Sequence, residues 1–466
     1  MPHPLTKQPG DVIPSEGWNQ LAGRVAYTRA DMAAGDIDDP VYLSESGREG
    51  HFVFSASNQS ANVTIDTAQG IYVPLSSDLT GASGAWVRKF SGNLDASWFG
   101  LAATGTGAAN ATALDAAIAV HLATAIPLTI RPGIYNKTGA TTITGNYMHI
   151  SGASWGKTVF RPTSATETFI INSRYGYFGH IGCDGVIAGT YGIVVKNANA
   201  TVFDDCDCRN FDNDGMFFSP TYGGGSDGNN NSSLVRRGHY VSNDQCGIRM
   251  ELHGDNNNIG FEAVDCSGND SHGILAKGSK FYIDPGCLLE GNSGYGIQIG
   301  EDVDAATTVD GIIDMPWIEA NTLGGVRGTA ESGNNTIRLM NAGQTYTRHA
   351  SAADTVSYVG GGGLYRFGSV DGNAFVQASA TGAEAYLLSA SKSGGNVNLS
   401  LGGAGTGIVW SLSDFSLASG KVFKINSVQV VGARGAAVAD ATDAATVITQ
   451  LNALLARLRT HGLIAP

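Results

Sequence analysis

Apolar residues in the middle of this chain come in runs of two or three behind a glycine, without the three-to-four spacing of a helix. The copies are Tyr191-Gly192-Ile193, Asp214-Gly215-Met216, Cys246-Gly247-Ile248, His272-Gly273-Ile274, Tyr295-Gly296-Ile297 and Gly324-Gly325-Val326. Successive glycines stand between 23 and 32 residues apart. Strand-like runs at such a period predict a solenoid in which each rung buries its apolar face only against its neighbours. A polar stop with asparagine precedes most copies: Asn243, Asn269, Asn292 and Asn321, with Asn210 or Asn213 as the counterpart one rung earlier. Asparagine tolerates the left-handed backbone of a tight corner, and its amide can pair with copies above and below. These glycines and asparagines are read as architecture.

The rest of the pattern divides the chain into regions. Residues 1–20 are an extended arm, and 21–95 a small β-rich domain with strand-like runs at Val41–Leu43, His51–Phe54, Asn62–Ile65 and Gly70–Val73. A helix is predicted over Asn110 to Ala123, with Asn110 as its cap and Leu114, Ile118 and Leu122 as one apolar stripe covering the open edge of the first rung. The solenoid occupies 96–340. Residues 341–435, rich in Gly, Ala and Ser, carry weakly apolar strands (Asn396–Leu401, Gly407–Trp410) that would need burial shared between chains. In 436–466, Ala441, Ala444, Ile448, Leu451, Leu455 and Leu458 follow a heptad, which predicts a short coiled coil and a homotrimer. The fold class expected is all-β: a right-handed parallel β-helix with a small N-terminal β domain, an interwoven C-terminal β region and a terminal helix.

Composition changes the picture in three ways. A formal charge of −13, with no Lys/Arg block, argues against nucleic acid as a partner. The N-terminus has no apolar leader, and no run is long enough to span a membrane. The six cysteines (Cys183, Cys206, Cys208, Cys246, Cys266, Cys287) all lie among the repeats and read as free thiols in the core. Neither a metal nor a cofactor is expected.

Trp98-Phe99-Gly100, Thr104 to Gly107, Asn110 to Thr112, Leu114 to Ile118 and Arg131 to Tyr135 resemble the opening of the pectate-lyase-like β-helix superfamily. Thr106 stands where that superfamily usually has Asp, and Asn110-Ala111 replaces its paired acids. The order of arm, small domain, β-helix, Gly/Ser-rich tail and closing helix resembles bacteriophage tailspikes and tail fibres. Leu401 to Val409 and Gln450 to Ala465 are similar to the interwoven section and the ending of such proteins. The resemblance implies a virion protein made in the host cytoplasm and joined to a phage tail or baseplate by its N-terminal region. It also implies binding of a bacterial surface polysaccharide, capsule or lipopolysaccharide, and its depolymerisation.

Stacked rungs place equivalent positions about 4.8 Å apart, so the sequence alone can propose carboxylate pairs. Glu290 and Glu319, each two residues before a corner asparagine, are one pair, and Asp284 and Asp314 are a second. Glycoside hydrolysis needs carboxyl groups about 5–5.5 Å apart for retention or about 6.5–9.5 Å for inversion. Trp317, on the rung of Asp314 and Glu319, would stack on a sugar if it faces outward. The longest gap between repeat glycines, Gly215 to Gly247, contains Ser219 to Ser233 and marks one side as the working face, with Tyr222 and Asp227, followed by Arg236 and by Arg249 with Glu251 and Asp255 as the rival acids. A lyase would use Arg236, Arg249, Lys277 or Lys280 against a uronate. A non-catalytic binding fibre would need none of the acids.

Overall fold

The computed structural model describes residues 24–224, 228–251, 256–277, 280–300, 310–329, 335–339, 346–348, 442–460 and 464, with the backbone of strands at 355–360, 363–367, 374–380, 384–390, 423–425 and 428–431. Three long sheets stack strand on strand. The first has twelve strands, running from Leu94–Asp95 through Leu128–Thr129, His149–Ser151, Tyr177–Gly179 and onward to Gly363–Phe367. The second begins with five strands, Gly133–Lys137, Thr158–Pro162, Gly182–Asp184, Asp207–Arg209 and His239–Val241. It continues through single bridges at Asp265 to Leu288–Glu290 and Trp317–Glu319. The third has nine, from Thr141–Asn146 to Tyr346–Arg348. The chain visits the sheets in turn, and neighbouring strands are parallel up to Thr355–Gly360, which makes this part of the chain a parallel β-helix; the last strand of the first sheet, Gly363–Phe367, pairs antiparallel with Thr355–Gly360.

Inward columns fill the interior. Ile193 pairs with Met216, Met216 with Ile248, Ile248 with Ile274, Ile274 with Ile297 and Ile297 with Val326, all in parallel register. Phe178, Phe203, Val235 and Phe261 form the matching column of the first sheet. Every one of these side chains is buried, and truncating one isoleucine to alanine costs about 2–5 kcal/mol. All six cysteines are free and buried in this core.

The repeat has a steric and a hydrogen-bonding cause. A Cβ on Gly247 would stand 2.9 Å from the carbonyl of Gly273 and 3.0 Å from the amide of Asn269. On Gly273 it would meet the carbonyl of Gly296 at 2.6 Å. Neither glycine has a positive φ, so close approach, not backbone freedom, selects it. The asparagines form a ladder: Nδ2 of Asn243 donates to Oδ1 of Asn269 (3.0 Å), Asn269 to Asn292 (3.0 Å) and Asn292 to Asn321 (2.8 Å). Each also donates to a carbonyl of the preceding rung, as Asn269 does to Tyr240 at 3.1 Å.

Two expectations about the ladder are corrected. The left-handed corner falls on the residue before the asparagine: Ser242, Gly268, Gly291 and Ala320 have positive φ. The counterpart one rung earlier is Phe211, whose N–H donates to Asn243 Oδ1 at 3.2 Å, and not Asn210 or Asn213. Asn210 is the left-handed corner of that rung (φ 60).

The capping helix spans Gly107–Thr124, three residues longer at its start than the sequence predicts. Thr106 caps it, accepting from Ala109 N–H at 3.2 Å. Asn110 is buried inside the helix and fastens it to the first rung through the carbonyl of Asn136 (2.9 Å). Leu114 and Ile118 join the solenoid core, with Leu122 packed against it.

Ahead of the helix, a five-stranded sheet (Arg24–Ala26, Val41–Leu43, Gly50–Ser55, Ala85–Lys89, Tyr72–Pro74) buries Phe52 and Trp86. The expected strand at Asn62–Ile65 is instead the helix Ser60–Ile65, which follows a turn in which the Asn58 side chain accepts from Ser60 N–H at 2.9 Å. The Trp98-Phe99-Gly100 motif is a joint. Arg48 donates to the carbonyls of Trp98 (2.6 Å) and Phe99 (2.8 Å), and Arg88 lies between the rings of Phe52 and Trp98, 4.6 Å from each.

Residues 398–466 form a separate compact unit. It holds a hairpin, Phe423–Ile425 with Val428–Val431, and the helix Ala444–Thr460. Val447, Ile448, Leu451 and Leu454 of that helix are exposed, while Leu455 and Leu458 are half-buried. Ala441 and the strands expected at Asn396–Leu401 and Gly407–Trp410 lie outside the described residues, as does the arm.

Candidate functional site

On the outer face of the second sheet, one register position runs through five rungs: Asp207, His239, Asp265, Leu288 and Trp317. Alternation along each strand turns these side chains away from the core that Cys208, Tyr240, Cys266, Leu289 and Ile318 enter. Two residues further along their strands, Glu290 and Glu319 form a second outward column in register with each other. Trp317 is 50% exposed, so it faces outward, and its indole N–H donates to Glu319 at 3.0 Å. The result is a strip with an indole at one end and acids along it.

The other end of the strip is more enclosed. The loop carrying Trp155 lies on the sheet because residue 182 is glycine; a Cβ there would stand 2.3 Å from the Trp155 carbonyl. Trp155 brings its ring centroid to 4.8 Å from that of His239. His239 Nδ1 stands 3.5 Å from Asp265 Oδ2, and Ser267 donates to the other Asp265 oxygen at 2.5 Å. Asp207 is buried, with Oδ2 3.5 Å from Arg209 and Oδ1 without a hydrogen-bond partner. Burial pushes the Asp207 carboxyl up to about 6, against the pull of Arg209 and His239. The hydrogen-bonding contact with Asp265 raises the pKa of His239, opposed by burial and helped by the charges of Asp265, Asp207 and Asp205.

The remaining acids and bases singled out in the sequence are placed elsewhere. Asp284 and Asp314 follow Ile283 and Ile313, which pair in the first sheet, around the corner from the Glu290 column. Asp284 accepts from the N–H groups of Ala263 (3.0 Å) and Gly286 (2.9 Å), and Asp314 is ion-paired with Arg338 at 3.0 Å. Arg236 is held by Asp204 at 3.1 Å. On the third sheet, Arg249 pairs with buried Asp214 at 2.9 Å and lies 4.1 Å over the ring of Phe217, which stacks on Tyr191. Tyr222 donates to Glu167, and Ser219 and Thr221 donate to Glu251, so both carboxylates anchor the inserted loop. Burial, then the bond to Glu167, pushes the Tyr222 phenol well up. Asp227 and Asp255 lie outside the described residues.

No protein-family profile and no curated protein matches the sequence. Solved structures do match the fold. The tailspike protein gp49 of Acinetobacter baumannii bacteriophage Fri1, a capsular polysaccharide depolymerase, aligns over 73% of this chain and 69% of its own at 9% identity and a TM-score of 0.48. The neighbours include phage tailspikes. The enzymatically active domain of bacteriophage CBA120 tailspike protein 2 aligns over 74% of this chain and 54% of its own, at 12% identity and a TM-score of 0.43. For Geobacillus virus E2 ORF18 the figures are 79%, 88%, 12% and 0.44. At these identities the likeness is one of fold.

Sequence reasoning missed Asp207, His239 and Asp265. Their signal was present: each stands eight residues before a repeat glycine (215 − 207, 247 − 239 and 273 − 265), as Leu288 and Trp317 do before Gly296 and Gly325. Among the described residues there is no cluster of His, Cys, Asp or Glu that could hold a metal ion, and no helix is long and apolar enough to cross a membrane.

Proposed function

We propose that this protein is a tailspike-like protein of a phage virion that binds a bacterial surface polysaccharide, capsule or lipopolysaccharide, and hydrolyses its glycosidic bonds. The observation that carries this reading is the strip on the second sheet. Repeated outward columns suit a repeating polymer, Trp155 and Trp317 offer ring faces to sugars, and Glu290 and Glu319 offer acceptors to their hydroxyls. The carboxylates of the strip, Glu290 and Glu319 foremost, supply the charge that an oxocarbenium-like transition state needs. The exposed apolar residues Val447, Ile448, Leu451 and Leu454 of the closing helix support a homotrimer, in which three such helices would bury them. The N-terminal region is assigned to the tail or baseplate.

A panel of purified capsular polysaccharides and lipopolysaccharides, incubated with the full chain, tests the reading. New reducing ends without the ultraviolet absorbance of unsaturated uronates indicate hydrolysis; with that absorbance, a lyase. Trp317→Ala should weaken binding about tenfold, the loss of one stacking ring. A chain that binds a glycan and releases no product is a binding fibre.

A further inference from the structure

We propose that His239 is the group that gives a proton to the bound polysaccharide, with Asp207 and Asp265 as its positioning residues and Glu290 as the carboxylate that activates water. The proposal rests on the hydrolase reading above. It starts from a stack that the architecture does not require. One turn of the chain away, the buried Asp204 is supplied with donors on both oxygens, by Arg236, Arg237 and Tyr177. Asp207 is equally buried, yet one of its oxygens has no donor. It stands one rung below His239, in the same register, and Asp265 stands one rung above.

The imidazole is therefore bracketed by two carboxylates about one strand spacing, ~4.8 Å, away on either side. Trp155 walls it from the side. The His239 side chain is 37% exposed, Asp265 26% and Asp207 2%, so the histidine is the member of the stack that a glycan can best reach. Its Nδ1 faces Asp265, which leaves Nε2 for the substrate. The charged groups around the ring are Asp207, Asp265 and Asp205, with Arg209 and Asp184 beyond Asp207; the acids nearest the ring favour its protonated form.

Hydrolysis needs a group that gives a proton and another that takes one. Glu290 stands one rung beyond Asp265 and two residues along its strand, on the same outward face. Its backbone is two strand spacings (~10 Å) along the rod and two residues (~7 Å) across it from that of His239, about 12 Å in all. The two side chains must converge across that gap to reach the ~6.5–9.5 Å between functional groups that leaves room for an attacking water. In the proposed step the bond from the anomeric carbon to the bridging oxygen breaks, and that oxygen takes the Nε2 proton. A water oxygen bonds to the anomeric carbon, and its proton goes to Glu290. Neutral His239 and protonated Glu290 then exchange with solvent to reset the site.

The test uses the full chain and whichever capsular polysaccharide of the panel the wild type cleaves. His239→Gln should lower kcat about 100-fold, the contribution of one proton-transfer group, while binding of the same polysaccharide persists. Asp265→Asn should move the alkaline limb of the rate profile to lower pH, because it removes the contact that keeps the imidazole protonated. Asp207→Asn should move it the same way by less. Titration of the His239 ring by NMR reads the same property without substrate: it should lie above the ordinary 6.5 in the wild type and fall in Asp265→Asn. Undiminished cleavage by His239→Gln overturns the proposal and leaves the hydrolase reading standing. A ring titrating at or below 6.5, or an alkaline limb unmoved in Asp265→Asn, overturns the bracketing role. A wild type that binds polysaccharides and cleaves none overturns the reading and the proposal together.

Discussion

Asp204 and Asp207 stand three residues apart on two faces of one rung, and both are buried, yet the fold treats them in opposite ways. Asp204 closes a strand of the first sheet. It receives Arg237 (2.7 and 2.6 Å), Arg236 (3.1 Å) and the Tyr177 hydroxyl (3.1 Å). Burial alone would raise its pKa, but the hydrogen bonds from Arg237 and Arg236 outweigh that and hold it below the usual carboxylate range. Asp207 opens a strand of the second sheet with one distant arginine and one empty oxygen, and burial leaves its pKa high. A carboxylate fully supplied with donors is structure. One left short of them holds a proton that can be moved, which is how acid and base roles are separated within a single site.

The first way to break this comparison is to remove the saturated member. Asp204→Ala leaves two arginines and a tyrosine without their acceptor. We expect a loss of about 3 kcal/mol in urea unfolding, toward the low end for a broken buried pair because both arginines reach water. An unchanged midpoint would mean that the cluster is ornamental.

Asp207→Asn should do the reverse, with a sign that depends on pH. The folded chain keeps the Asp207 proton up to about pH 6, whereas an unfolded chain releases it near 3.8, so stability falls as pH rises through that window and stays down above it. An asparagine cannot ionise and escapes the loss. The variant should therefore match the wild type at pH 4 and exceed it by about 1–2 kcal/mol at pH 8, part of the ~3 kcal/mol that a two-unit shift represents. A variant less stable than wild type at pH 8 would place Asp207 with Asp204, as structure.

The smallest expected effect sharpens the contrast between face and core. Glu319→Gln, on the exposed column, should change stability by less than about 0.5 kcal/mol, as surface substitutions do. Its consequence should appear in polysaccharide affinity, read by calorimetry against a glycan that the wild type binds.

The solenoid was legible because its determinants recur. Gly247 and Gly273 are fixed by the carbonyl of the next rung, and Asn269 by four hydrogen bonds, so the same residues return at the same step. Phe211 escaped because its ring fills the space that Gly185 and Gly189 leave, taking the ladder position by shape instead of by amide. The run at Asn62–Ile65 reads as a strand by composition, but Asn58 accepts from the N–H and hydroxyl of Ser60 just ahead of it, and the local hydrogen bonds win. Glu290 and Glu319 could be found by matching like residues across rungs, and they do pair in register. Asp207, His239 and Asp265 hold an equally regular position, eight residues before a repeat glycine, but a stack of unlike residues escapes a search that matches like with like. Whether Asp207 had enough donors depended on the distance of Arg209, which no spacing encodes.

The asparagine ladder has an evolutionary consequence. Everything that determines rung stacking points inward or lies at a corner, while the outward columns contribute little to holding the rod together. Positions such as 288, 290, 317 and 319 can therefore be rewritten one at a time without passing through unfolded intermediates, and, on the proposed function, this is the route by which selection would fit the surface to a new glycan. The trait that makes the repeat monotonous is what leaves its exterior evolvable.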